Sequence, residues 1–338
     1  MKKRVVVLTL SPLPFALSLM CALLFALRLP VEAQQTGKVY RIGFLSGGFP
    51  GPSHWTAQLR AELQRIGYVE GKNIVIEARF TENKIDRLSP LAEELVGLKP
   101  DVIVTGGQND ARAAKNATKA IPIVGTSLGD PVANGLVESL ARPGGNLTGF
   151  TGIVDELAGK RLELLKEIVP NLFIVALLWN SRHPDSARAF KLYQAPAREL
   201  SLQLHSMALT GPDQFESAFK AAIKARSGAL AMTAGAFLSA ARNQKRLAEL
   251  AAKYHLPAIS DRDSFVANGG LMSYGADDSE RFKRVAVFVD KVLKGTKPAD
   301  IPVEQPTKFE FIINLKAAKQ IGLTIPPNVL ARADKVIK

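Results

Sequence analysis

The sequence predicts an α/β protein of two Rossmann-like lobes, each built on a parallel sheet, joined by a multi-strand hinge. Three observations predict it. Short apolar runs alternate with amphipathic stretches from Val39 onward. The runs are apolar on both faces, as strands covered by helices on both sides must be. The alternation breaks once, at Arg142-Pro143-Gly144-Gly145-Asn146, and then restarts.

The first series opens with a strand over Tyr40 to Leu45, and a helix over His54 to Ile66 stops at Gly67. A strand over Asn73 to Ala78 and a helix over Ile85 to Leu98 follow, the helix ending before Pro100. Asp101 to Thr105 reads as a strand, Ala111 to Ala120 as a helix and Ile121 to Gly125 as a strand. Val132 to Leu140 has helical spacing, and Leu147 to Phe150 is a short strand leading out of the unit.

In the second series helix Gly159 to Ile168 precedes strand Ile174 to Trp179, and helix Ala187 to Leu200 precedes strand Gln203 to Ala208. Helix Asp213 to Lys224, strand Ala229 to Met232, helix Gln244 to Tyr254 and strand Pro257 to Ile259 continue it, and Gly270 to Tyr274 closes it. A helix over Glu280 to Leu293 and an extended connector over Lys297 to Pro302 come next. The end is a strand over Lys308 to Ile313 and a helix over Leu315 to Ile321. A chain that returns after completing two lobes crosses between them again. The expected division is 39–155 plus about 278–300 for the first lobe, and 156–277 plus about 301–338 for the second.

The first 33 residues set the compartment. Lys2, Lys3 and Arg4 precede a long apolar run from Val5 to Leu27, and Val31-Glu32-Ala33 places small residues at the cleavage subsites. That order is a secretory signal peptide, so the protein is expected to be periplasmic or otherwise extracytoplasmic. Retention as a membrane anchor is the alternative, but Pro12 and Pro14 interrupt the run. Cys21, the only cysteine, lies inside this leader after a large Met20, which disfavours lipidation and leaves the mature chain without a thiol. The formal charge of +13 becomes +10 without the leader. The basic residues are scattered along helices such as Arg281 to Lys294 without interleaved aromatics, so no nucleic-acid partner is expected.

In open parallel sheets, ligands bind beyond the carboxyl ends of the strands. Those positions carry Ser46, Gly47, Thr105, Gln108, Asn109, Ser127 and Asp130 in the first series. The second series supplies Asn180, Gly235, Asp261 and Tyr274. Glycine admits close backbone approach, and the polar side chains give directional hydrogen bonds. The same residues also make turns and caps in any α/β protein. Gly125-Thr126-Ser127-Leu128-Gly129 fits a nucleophile elbow, with His183, His205 and His255 downstream, so a secreted serine hydrolase using Ser127 is the alternative function. No dinucleotide fingerprint, phosphate loop or paired histidines occur, and neither a cofactor nor a metal is expected.

Gly67-Tyr68-Val69-Glu70-Gly71-Lys72-Asn73-Ile74, Leu98-Lys99-Pro100-Asp101-Val102-Ile103-Val104 and Gly129-Asp130-Pro131-Val132 resemble the ABC-transporter substrate-binding proteins of the tryptophan/tyrosine-uptake type. So do the run Leu140 to Gly149, the run Gly159 to Glu167, Leu256-Pro257-Ala258-Ile259, the run Gly269 to Gly275 and the long run from Pro302 to Pro327. The resemblance implies a type I periplasmic-binding architecture with a three-strand hinge and a small-molecule ligand enclosed between the lobes. It also implies delivery to an ABC import permease with its separate ATPase, by a receptor expected to be monomeric and not an enzyme. Gly106-Gly107-Gln108-Asn109-Asp110 and Ser260-Asp261-Arg262-Asp263 depart from the usual pattern, so the expected ligand is an amino acid or a related carboxylate and not specifically an aromatic one. In that reading the helix start at Gln108-Asn109, with Ser46 and Thr105, receives the anionic group, and Asp130 or Asp261 pairs with an ammonium. A repressor built on two such lobes would carry a helix-turn-helix where this chain has its apolar leader.

Overall fold

The computed structural model describes residues 38–47, 54–82, 84–151, 157–181, 184–233 and 236–338. From Tyr40 onward they build two sheets. The first has the order β2-β1-β3-β4-β5, with β1 at Tyr40–Ser46, β2 at Ile74–Phe80, β3 at Val102–Thr105, β4 at Ile123–Gly125 and β5 at Leu147–Gly149, all parallel. Alternation along each strand sends successive side chains to opposite faces. Ile42, Phe44, Val102, Val104 and Val124 therefore meet helix α1 (His54–Arg65) on one side. Leu45, Ile103, Ile123 and Leu147 meet α2 (Leu88–Gly97) and α3 (Gln108–Ala117) on the other.

The second sheet is larger. It holds β6 (Ile174–Asn180), β7 (Gln203–Leu209), β8 (Ala229–Met232), β9 (Ala258–Ser260), β10 (Met272–Ala276), β11 (Phe309–Asn314) and β12 (Lys335–Ile337), in the order β12-β11-β10-β9-β8-β6-β7. One face packs on α4 (Leu157–Ile168) and α5 (Pro184–Glu199) through Leu162, Leu165, Tyr193 and Ala197. The other packs on α6 (Phe215–Lys224) and, past the short α7 (Ala236–Ser239), on α8 (Ala241–Lys253), through Phe215, Phe219, Leu247 and Leu250. The short α9 (Asp263–Ala267) adds Phe265.

The chain leaves the first sheet after β5 and returns from β10 into α10 (Asp278–Leu293). Asp277 caps that helix, accepting from the Ser279 backbone at 2.9 Å and from Lys308 Nζ at 2.9 Å. Burial works against the charge of Asp277, but these bonds outweigh it and hold its carboxyl at about 2. Phe282, Val285, Phe288 and Val289 of α10 complete the first core beside α1. Residues 301–304 then run along β5. Thr148 Oγ1 donates to Ile301 O at 2.7 Å, Glu304 N donates to Gly149 O at 3.0 Å, and Thr151 N donates to Glu304 O at 2.8 Å. From there the chain enters β11 and finishes through α11 (Leu315–Gln320), α12 (Pro327–Leu330) and β12.

Two sequence expectations are corrected. Residues 132–140 form turns and no helix. Gly135 sits at φ 65°, and Leu136 N and Val137 N both turn back to Pro131 O, at 2.8 and 3.1 Å. The apolar spacing there instead serves Leu136 and Val137, which bury against Leu128 and Ala111 without helical hydrogen bonding. The second sheet is also not wholly parallel, because β11 runs antiparallel to β10. Periodicity reports a strand and is silent on its direction.

Gly149 adopts φ 145° and lies against Gly125, where an added Cβ would stand 2.2 Å from the Gly125 carbonyl oxygen. Gly149→Ala is expected to destabilise the fold by more than about 1 kcal/mol, since both the conformation and the space exclude a methyl group. Chemical denaturation checks this; an unchanged midpoint would show that β4 and β5 separate freely.

Candidate functional site

The loops at the carboxyl ends of β1 and β3 are drawn together by a residue the sequence reading did not single out. Asp110, in the first turn of α3, is 6% exposed, and its carboxylate accepts from the backbone N–H groups of Gly47 and Gly107. A Cβ on Gly106 would stand 3.0 Å from Ser46 Oγ and 3.2 Å from Asp110 Oδ2, so Ser46, Gly47, Gly106 and Asp110 form one tight group. Burial raises the Asp110 carboxyl to about 7, against the two backbone donors that favour its charge. Thr81 supports the same loop, donating from Oγ1 to Gly47 O at 3.0 Å.

Thr105 ends β3 fully buried, and its Oγ1 has no hydrogen-bond partner. Gln108 begins α3 and accepts from Asn134 Nδ2 at 2.6 Å, tying that helix start to the turns after β4, and Asn109 follows it half-buried. Ser127 is half-buried just past β4. No helix follows it, so the elbow geometry of a hydrolase nucleophile is not formed. His205 lies on β7 with its ring 3.5 Å from Ser227 Oγ, and His255 follows α8, both in the second lobe. His183 lies outside the described residues.

Asp130 is committed. Its Oδ1 accepts from Ala133 N at 2.9 Å, and its Oδ2 accepts from Arg188 Nη2 at 2.9 Å. The Ala133 N–H and then Arg188 lower its pKa, with burial opposing them. Arg188 belongs to α5, so this pair links the loop after β4 of the first sheet to the second lobe. The carboxyl ends of the two sheets thus face each other across it.

In the second lobe Asn180 ends β6 half-buried. Asp261 is buried just past β9 and pairs with Arg262 at 3.3 Å. Gly235 lies outside the described residues. The ring of Tyr274 packs near Phe309 and Phe311, at centroid distances of 6.4 and 6.3 Å, while its backbone carbonyl accepts from Arg161 Nε at 2.8 Å. Arg161 itself has no exposed surface. It occupies the apolar stripe of α4 with Ala158, Leu162 and Leu165, and a charge on that stripe is the signal that could have revealed it. Among the described residues no group of acidic residues, histidines or cysteines is arranged to hold a metal ion.

Two α/β lobes with opposed strand ends, linked by a chain that crosses and recrosses, define the type I periplasmic-binding architecture. The chain belongs to the ABC transporter substrate-binding protein family, whose model matches residues 52–337. It is 26% identical over 261 residues to a tyrosine-binding protein of Clostridioides difficile strain R20291, covering 77% of this chain and 74% of that one. A conserved domain protein of Vibrio cholerae, 27% identical, superposes with a TM-score of 0.81 over 88% of this chain and 100% of its own. The fold is shared as well with an ABC domain from Streptococcus pneumonia solved with L-Trp, at TM-score 0.78 and 24% identity over 88% and 99% of the two chains.

The Asp110 environment gives a pH prediction. A carboxyl raised from 3.8 to about 7 binds its proton more tightly in the folded state. Its contribution to stability is complete below about 4 and is lost as pH rises to about 7, by at most about 1.4 kcal/mol per pH unit. Relative to Asp110→Asn, the unmodified protein should therefore lose stability across that window. Denaturation at pH 4.5 and 7.5 measures it, and a difference that stays constant with pH would place the ordinary carboxylate at this site.

Proposed function

We propose that this protein is an extracytoplasmic solute receptor that encloses an amino acid or related carboxylate between its lobes and hands it to an ABC import permease. The observation that carries this reading is a set of buried polar atoms with no partner. Thr105 Oγ1 at the end of β3, Thr151 Oγ1 just past β5, Thr233 Oγ1 just past β8 and Arg161 Nη2 all lack a hydrogen bond. Such groups cost roughly 1–3 kcal/mol each when left unsatisfied. The three threonines lie at or just past strand ends in both lobes, and Arg161 of α4 reaches β10, so a bound solute there would supply the missing partners.

The named ligands of the relatives, tyrosine and L-Trp, support an amino acid. Ligand contacts from both lobes favour a closed form, so binding shifts the population toward closure. Residues 1–33 act as the cleavable export signal in this reading, and no helix among the described residues is long and apolar enough to cross a membrane. The exported protein is then expected to begin at Gln34, which an intact mass on the secreted form would check.

Thermal unfolding of residues 34–338 against L-tyrosine, L-tryptophan, other amino acids, short peptides and purines tests the ligand class. A true ligand at a hundredfold its Kd adds about 2.7 kcal/mol and raises the midpoint by several degrees. A selective rise with an amino acid is expected. A rise only with purines or peptides would discard the amino-acid assignment.

A further inference from the structure

We infer that Arg161 is the receptor for the carboxylate group of the bound solute, with the Thr233 hydroxyl as its second donor. The inference rests on the solute-receptor reading and gives that site its anion-recognising half. Arg161 is held in one orientation by two strands, directly by β10 and through Tyr193 by the end of β8. Its Nε donates to Tyr274 O of β10 at 2.8 Å. Its Nη1 donates to Tyr193 Oη at 3.2 Å, and Tyr193 Oη in turn donates to Met232 O at the end of β8, at 3.3 Å. Nη2 has no partner. The guanidinium is therefore fixed on two sides and bare on the third.

Charge makes the gap more than a missing bond. A guanidinium stays protonated in proteins, so burying it completely demands an anion. Three other arginines have one: Arg188 pairs with Asp130, Arg262 with Asp261 and Arg284 with Glu304. No carboxylate among the described residues pairs with Arg161. Tying Tyr274 O and Tyr193 in place would need only neutral donors, which a glutamine supplies, so the full charge is unexplained by that role.

Thr233 directly follows Met232, is fully buried, and has a hydroxyl without a partner. One uncompensated cation and a second unused donor, linked through Tyr193 and Met232, match a group with one negative charge and two acceptor oxygens. That group is a carboxylate. A phosphate dianion would leave charge uncompensated. This assigns the anionic end of the solute to the second lobe, whereas the sequence placed it at Gln108-Asn109 of the first.

The test is titration calorimetry on residues 34–338 with L-tyrosine and L-tryptophan, each against its carboxamide. The unmodified protein is expected to bind the acid roughly 100-fold more tightly than the amide. In Arg161→Gln the acid should lose roughly that factor while the amide changes little, and Arg161→Lys should restore part of the loss. Equal binding of acid and amide by the unmodified protein would overturn the inference and leave the receptor reading intact. So would an equal loss for both ligands in Arg161→Gln, the mark of a purely structural role. Thr233→Val, expected to weaken the acid alone, carries the test if Arg161→Gln does not fold. If neither amino acid binds, the same protein is screened by thermal shift with keto acids, simple monocarboxylates, sugars and purines. A carboxylate hit whose affinity falls in Arg161→Gln supports the inference, while hits confined to uncharged solutes sink it alone. Binding of no solute at all would bring down the receptor reading and the inference together.

Discussion

The pairing of residues 301–304 with β5 is the constraint on which the two-lobed form depends. At this edge the first sheet receives a stretch that arrives some 150 residues after β5 itself, as the Thr148–Ile301 bond across 153 positions shows. The backbone bonds of Glu304 to Gly149 and Thr151 fix the register, and Arg284 of α10 grips the Glu304 carboxylate from the side. With this edge in place, α10 lies over the first core and β11 enters the second sheet. Without it neither sheet would receive its late elements. A cavity of about 480 Å³ remains beside the crossing, walled by Phe150, Arg281, Arg284, Val303 and Lys308 among others.

Electrostatics divides the arginines of the cleft into two kinds. Arg188 and Asp130 are both partly exposed, so their bond between lobes is worth about 0–1 kcal/mol and lets the lobes part. It also means that an ammonium reaching Asp130 has to displace Arg188. Asp261 is similarly occupied by Arg262 inside its own lobe. Arg161 alone among these arginines is sealed in without a counter-charge among the described residues, so only its hydrogen bonds to Tyr274 O and Tyr193 Oη offset its desolvation.

Most of the fold was legible because each core strand is apolar on both faces and bounded by a polar loop, as in Asp101 to Thr105 and Ala229 to Met232. Burial and hydrogen bonding part company at residues 132–140, where Leu136 and Val137 point inward on a chain made of turns. Direction was the other gap: the alternation of Phe309 to Ile313 is the same whichever way the strand runs. At the site, the polar residues after β1, β3 and β4 stood out because turn and ligand chemistry use the same side chains. Asp110 did not, since an acidic residue in a first helical turn is ordinary on a surface. Its burial depends on the neighbouring loop, which no local pattern reveals. Arg161 is surrounded in sequence by Lys160, Glu163 and Lys166, and only its spacing from Ala158, Leu162 and Leu165 sets it apart from the charges of the solvated face.

Helix α10 has a kinetic meaning too. Its Asp290 accepts from Tyr68 Oη across 222 positions, and its Phe282 and Phe288 fill the core that β1 and α1 begin. A lobe whose interior is closed by so late a segment cannot mature as it emerges from the ribosome. Contacts of such long range form slowly. The first lobe therefore completes its core only after most of the chain has been made, however early its own strands emerge.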